Sequence, residues 1–332
     1  MVERNRIMLP QRPRRNRQDQ NIRALVRETH LAPRDFVYPL FVIEGKDKKT
    51  AIPSMPDFYR LSIDLLVKEV RQARDIGIQA VALFPSVNDK LKDKRARESK
   101  NPDGLLQRAV AEIKTNIPDV LVITDVAMDP YSSDGHDGFV SKGKILNDET
   151  LPILAEMAVA QARAGADIVA PSDMMDGRVG FIRQALDQRG FEDVGILAYS
   201  VKYASAFYGP FRDALNSAPK SGDKKTYQMD PANVREALRE VKLDVQQGAD
   251  IVMVKPALPY LDIIRAVREQ VDVPVAAYNV SGEYAFVKAA SQKGWLDGEA
   301  VMEEMLLSIK RAGADIIFSY FAKEMVLKLI NS

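Results

Sequence analysis

From about Phe36 onward the chain alternates between short apolar runs and longer segments in which apolar residues return every three or four positions. The runs are VYPLFVI (37–43), AVALFP (80–85), LVITDVA (121–127), IVAPSD (168–173), GILAYSVK (195–202), IVMVKP (251–256), VPVAAYNV (273–280) and IIFSYF (316–321). Near-continuous apolar strands separated by amphipathic helices predict parallel pairing with both faces of the sheet covered. Three stretches share a phrase: RAGADIVAP (163–171), QGADIVMVKP (247–256) and RAGADIIFSYF (311–321). In each, a helix ends at a glycine able to take the left-handed conformation, and Ala-Asp leads into the next strand. One repeated helix–turn–strand unit among eight such runs predicts an α/β fold, a closed (β/α)8 TIM barrel. The alternative is an open doubly wound sheet, but no Gly-x-Gly-x-x-Gly follows an early strand to support its nucleotide-binding form.

Residues 1–35 break the pattern. They are polar and arginine-rich, with QRPRRNR at 11–17. No aromatic residue interleaves that basic stretch and the formal net charge is only +1, so an N-terminal arm that packs on another subunit is expected rather than a nucleic-acid surface. The barrel is expected over 36–332. No apolar run approaches the roughly 18–20 residues of a membrane span, and the first twenty residues lack the apolar core of a secretory signal, so a cytoplasmic protein is expected. The absence of cysteine excludes disulfides and thiolate metal sites, and two histidines exclude a multi-histidine zinc centre. The polar, glycine- and proline-marked segment 206–227 follows the run ending at Lys202. A long loop at that end of a barrel reads as a lid.

In a barrel of this kind reactive groups sit at the C-terminal ends of the strands. Those ends carry Asp125, Asp129, Ser172, Asp173, Asp176, Lys202, Lys255, Tyr278, Ser281, Ser319 and Tyr320, a concentration of polar groups on otherwise apolar strands. Lys202 and Lys255 end consecutive runs, and neighbouring strands lie about 4.8 Å apart. Two ammonium groups that close disfavour each other's charge and burial acts in the same direction, so at least one should lose its proton well below the usual lysine value. A neutral amine is the nucleophile for Schiff-base formation with a ketone or aldehyde. The competing reading is a lysine neutralised by a neighbouring aspartate. Two lysines side by side suggest two carbonyl substrates, or one held twice.

The stretches TDVAMDPYSSDGHDG (124–138), APSDMMDGR (170–178), KYASAFYGPFRDA (202–214), YQMDPAN (227–233), ADIVMVKP (249–256) and VSGEYA (280–285) closely resemble the porphobilinogen synthase (5-aminolevulinate dehydratase) family, in order and at consistent spacing from about Arg12 to the C-terminus. The resemblance implies condensation of two 5-aminolevulinate molecules to porphobilinogen with loss of two waters, on a barrel with an N-terminal arm that usually assembles as a homo-octamer. Position by position, it implies that Lys255 forms the Schiff base with the first substrate and Lys202 holds the second. Ser281 and Tyr320 match groups that bind the first carboxylate, and Arg212, Lys224 and Gln228 those that grip the second. Asp125 and Ser172 match groups near the first substrate's amino end, with Phe207, Phe211 and Tyr278 around them. The general base is left open between a lysine amine and an aspartate at the barrel mouth.

Many family members carry a cysteine-rich zinc site after the third apolar run; here Ala127, Asp129 and Asp137 stand at those positions. Carboxylates suit magnesium or no tightly held ion, so a catalytic zinc is not expected, and Asp129 and Asp137 are only weak metal candidates. Asp134 stands where the family often has histidine, and His136 is either a proton carrier or a loop histidine bonded to its neighbours. Glu240 matches a family position that holds an allosteric magnesium largely through waters. The resemblance thus implies a zinc-free, magnesium-responsive type. A class I aldolase is the alternative enzyme, but it calls for glycine-rich phosphate-binding backbone where this chain reads NVSGEYA and SYFAKE. A barrel that only binds or scaffolds is the remaining alternative.

Overall fold

A computed structural model of the chain describes residues 9–215, 217 and 219–331. The chain forms two compact units, Met1–His30 and Leu31–Ser332. In the first, a 3-10 turn at Pro13–Arg17 precedes α1 (Gln20–Leu25), whose N-terminus is capped by the Asp19 carboxylate accepting from the Ile22 amide. The second unit opens at Leu31, and Asp35 there accepts from Lys310 at 3.1 Å.

Its strands are β1 (Phe36–Ile43), β2 (Lys49–Ala51), β3 (Tyr59–Ser62), β4 (Ala80–Pro85), β5 (Leu121–Val126), β6 (Phe139–Ser141), β7 (Lys144–Leu146), β8 (Ile168–Pro171), β9 (Gly195–Lys202), β10 (Ile251–Lys255), β11 (Val275–Asn279) and β12 (Ile316–Ser319). Eight of them pair in parallel in the order β1-β4-β5-β8-β9-β10-β11-β12, and β12 returns to β1 with Phe36 opposite Ile317. These eight are the apolar runs of the sequence, closed into a (β/α)8 barrel. All eight residues of β1 are buried, as double-sided covering by barrel filling and outer helices requires.

The helices between them are α2 (Ile63–Asp75), α3 (Leu105–Asn116), α4 (Asn147–Arg163), α5 (Arg178–Asp187), α6 (Gly209–Leu215), α7 (Arg235–Gln246), α8 (Leu261–Arg268), α9 (Ser281–Gln292), α10 (Gly298–Ala312) and α11 (Ala322–Asn331). In α2 the buried residues are Leu66, Val67, Val70 and Ala73, one face at helical spacing.

The repeated Gly-Ala-Asp phrase has a physical basis. Gly165, Gly248 and Gly313 all have φ between 100° and 122°, which a side chain would strain. The alanines that follow are buried, and each aspartate accepts the backbone amide opening the neighbouring strand: Asp167 from Val122, Asp250 from Ile196 and Asp315 from Val275, at 2.7, 2.7 and 2.9 Å. The phrase ends a helix and fastens adjacent strands together at the bottom of the barrel.

Four short strands escape the hydrophobic pattern. β6 and β7 form an antiparallel hairpin turned by Lys142 and Gly143, both at positive φ, which is the tight-turn geometry that matches strand twist. β2 and β3 form a second hairpin, and β3 also pairs in parallel with β1. Both pairs are short and partly exposed, so no period-2 apolar signal marks them.

Candidate active site

Lys202 and Lys255 are direct Cα partners across β9 and β10, with a register shift between Val252 and Val254 bringing the two strand ends level. Both are only 6% exposed, yet their surroundings differ. The Lys202 ammonium donates to the Asp137 carboxylate at 3.2 Å and to the Ser172 carbonyl. Lys255 has no ion pair among the described residues. Its Nζ lies 4.6 to 5.3 Å from the ring centroids of Tyr278, Tyr199, Phe211 and Tyr208. Burial among those rings, with the charge of Lys202 adding to it, pushes the Lys255 amine down to about 7. One lysine is therefore held as an ion pair and the other is poised to be neutral.

Asp125, near the end of β5, faces the same cavity as both lysines. Burial, and then the charge of Asp129, raises its carboxyl to about 6, against the pull of both lysines and a hydrogen bond with Ser172. Gln161 of α4 holds this strand end by donating to the Asp125 carbonyl and accepting from Thr124, both at 2.8 Å. Lys224 bridges Asp137 at 2.6 Å and Asp129 at 3.3 Å. Burial would raise Asp137, but Lys202 and Lys224 outweigh it and hold this carboxylate below its usual range. Asp129 moves the other way: burial raises it more than Lys224 lowers it. In Lys224 the two carboxylates overcome burial and raise the ammonium.

A narrow cavity of about 30 Å3 is lined by Asp125, Asp129, Ser172, Lys202, Lys255, Phe211, Arg212, Lys224 and Gln228, together with Tyr208. Nine of the residues that the sequence singled out thus converge on one space. The buried Gln228 Oε1 there has no hydrogen-bond partner among the described residues. Ser281 opens α9 and its Oγ accepts from the Phe211 amide at 3.0 Å. Tyr278 and Tyr320 share a 3.0 Å hydrogen bond between hydroxyls, and Tyr320 stacks on Phe41. Phe207 crosses directly over Gly282: a Cβ on that glycine would meet the Phe207 carbonyl oxygen at 2.5 Å. The segment 206–227 is less loop-like than its composition suggests. It begins with a 3-10 turn at Ala206–Tyr208 and α6, because Phe207, Phe211, Ala214 and Leu215 give it an apolar inner side.

Glu240 lies away from the lysines, on α7, in a separate cleft of about 900 Å3 that also takes in Asp176, Glu236, His136 and Tyr227. Burial, with Asp244, Asp176 and Glu236 adding to it, raises its carboxyl despite the nearby Arg178. His136 is bonded on both nitrogens, to the Tyr227 hydroxyl at 3.2 Å and the Ser221 carbonyl at 2.9 Å. Three groups went unnamed as site residues in the sequence. Tyr199 and Tyr208 complete the rings around Lys255, and Arg178 is fully buried against Asp244 at 3.0 Å. Arg178 and Tyr208 had a visible signal, inside APSDMMDGR and KYASAFYGPFRDA, whereas Tyr199 was only one residue of an apolar run.

A (β/α)8 barrel with one paired and one unpaired lysine at adjacent strand ends has the groups that an enzyme acting on carbonyl substrates would need. Residues 10–328 match the family model described as delta-aminolevulinic acid dehydratase. The chain belongs to that family. It is 56% identical over 318 residues to the chloroplastic delta-aminolevulinic acid dehydratase of Physcomitrium patens, covering 95% of this chain and 73% of the relative. It is 54% identical to the enzyme of Bradyrhizobium diazoefficiens, over 96% of this chain and 90% of the relative. The crystal structure of the Toxoplasma gondii enzyme in complex with its product porphobilinogen superposes with a TM-score of 0.95 at 54% identity, covering 97% of this chain and 92% of that one. The activity is the condensation of two 5-aminolevulinate molecules to porphobilinogen in tetrapyrrole synthesis.

Proposed function

We propose that the two lysines divide the condensation between them, with Lys255 as the first nucleophile. Its neutral amine attacks the ketone of one 5-aminolevulinate, and loss of water leaves an imine. Lys202, oriented by Asp137 and Ser172, captures or orients the ketone of the second molecule. Holding both substrates on neighbouring strands turns a bimolecular step into an intramolecular one. Ser281 and Tyr320 hold the first carboxylate, while Arg212, Lys224 and Gln228 hold the second. The segment 206–227 then acts as a lid: a cavity of about 30 Å3 has room for about one water, so α6 must withdraw to admit two keto acids. Asp125, which titrates at about 6 beside both lysines, is suited to receive the amino end of the first substrate and to take up a proton.

The reading extends to the metal. Asp129 and Asp137 are already neutralised by Lys224 and Lys202, a donor set that does not suit zinc, so we infer a zinc-free reaction centre in which ammonium groups supply the positive charge. The Glu240 cleft does fit a magnesium ion. Four carboxylates line it, those of Asp176, Asp223, Glu236 and Glu240, and burial, with repulsion from Asp176 and Glu236 adding to it, raises Glu240. A hydrated divalent cation would relieve that repulsion while keeping most of its waters, remote from bond-making. The basic N-terminal unit is proposed to serve assembly of a homo-octamer.

The observation that carries this reading is the unpaired, ring-enclosed Lys255 beside the paired Lys202. Borohydride reduction with 5-aminolevulinate followed by peptide mass spectrometry tests it. A substrate adduct on Lys255 is expected in the wild type and in Lys202→Ala, with porphobilinogen formed only by the wild type and unaffected by zinc chelators. A folded protein with no adduct on either lysine would sink the assignment.

A further inference from the structure

We propose that Arg60, on the β2–β3 hairpin, is a positioning residue for the lid: it grips the C-terminal end of α6 and thereby sets Arg212 over the two lysines. The inference rests on the reading of Arg212 as the grip on the second carboxylate. Helix α6 has seven residues, too short to hold its shape alone, and the carbonyls of its last turn have no partners within it. Arg60 supplies them. Its Nε donates to the Ala214 carbonyl at 2.5 Å and its Nη2 to the Asp213 carbonyl at 2.6 Å. Ser54, on the same hairpin, donates to the Asp213 carboxylate at 2.5 Å. Two of the four α6 carbonyls after Phe211 are thus held from outside the lid, next to Arg212 itself. A guanidinium at a helix C-terminus also meets the favourable end of the backbone dipoles.

The hairpin belongs to the fixed part of the molecule. Arg60 is the Cα partner of Phe41 in the parallel β1–β3 pairing, and Phe41 in turn meets Phe211 at 5.8 Å and stacks on Tyr320. The barrel wall that supports the first-substrate hydroxyl therefore also carries the guanidinium that reaches the lid. Because α6 must lift to admit substrate, the Arg60 bonds break on opening and reform on closure. Their contribution falls on the closed state, where the second carboxylate is gripped.

Steady-state kinetics of Arg60→Ala, Arg60→Lys and Ser54→Ala test this, with thermal melting, borohydride trapping on Lys255 and limited proteolysis within 206–227 as companion readings. For Arg60→Ala, KM for 5-aminolevulinate should rise about tenfold, the scale of two lost charge-assisted hydrogen bonds. Substrate should protect its lid less from protease, while the Lys255 adduct at saturating substrate and the melting temperature stay near wild type. Arg60→Lys should recover part of the KM, since one ammonium can reach one carbonyl, and Ser54→Ala should show a smaller rise. Unchanged KM and unchanged lid protection in folded Arg60→Ala would overturn the proposal. If Arg60→Ala does not fold, an unchanged KM in Ser54→Ala and Arg60→Lys would do so. Arg212→Ala separates the premises: if it too leaves KM unchanged, the reading of Arg212 has failed, whereas a raised KM there with a neutral Arg60→Ala rejects Arg60 alone.

Discussion

A charged Lys255 is costly at neutral pH, and in the proposed mechanism that cost is the source of its reactivity. Its folded-state pKa of about 7 lies below the unfolded value, so between about pH 7 and about 10.4 the unfolded chain binds the extra proton. Stability contributed at this position therefore rises with pH across that window, and the penalty is full below pH 7. Lys255→Met, which keeps the volume and removes the charge, should abolish porphobilinogen formation and raise the melting temperature. The gain, on the order of a few kcal/mol, should be largest near pH 6 and fade near pH 10. Thermal melts of both proteins at the two pH values check it; a gain independent of pH would mean the amine is not depressed. In the wild type, kcat/KM should show an acid limb near pH 7 for the same reason.

At the scale of elements, the three aspartates of the repeated phrase do the same work at separate places in the barrel. Asp250 accepts the Ile196 amide at the start of β9, and β9 carries Lys202 at its other end. Asp250→Ala leaves that amide without its acceptor and should cost about 1–2 kcal/mol by chemical denaturation, with kcat reduced far less than by any change at the lysines. An equal loss of kcat would place the carboxylate in the chemistry instead. The eight barrel strands were readable because burial on both faces leaves continuous apolar runs. The β2–β3 hairpin was not, since its strands are only three and four residues long, only Leu61 and Ser62 in them are buried, and its pairing partner is chosen by β1.

For the whole molecule, the Glu240 cleft and the N-terminal unit are where control of the enzyme is expected. Glu240→Ala should remove the response of activity to added magnesium and leave the Lys255 adduct intact. Light scattering with and without magnesium reads the same variant for assembly. A full magnesium response in Glu240→Ala would move the ion elsewhere. The candidate residues were legible one by one, because reactive side chains at strand ends stand out against apolar runs. What they touch was not.

The sequence by itself determined the eight barrel strands, the helix–turn–strand repeat and the two lysines at adjacent strand ends, because periodicity and position along a strand are local properties. Only the tertiary structure decided which lysine is ion-paired and which is enclosed by rings. That depends on Asp137, 65 residues from Lys202, and on four rings drawn from separate segments around Lys255. Burial and Coulomb interactions act through space, and a closed barrel brings to a few ångströms groups that the chain keeps far apart.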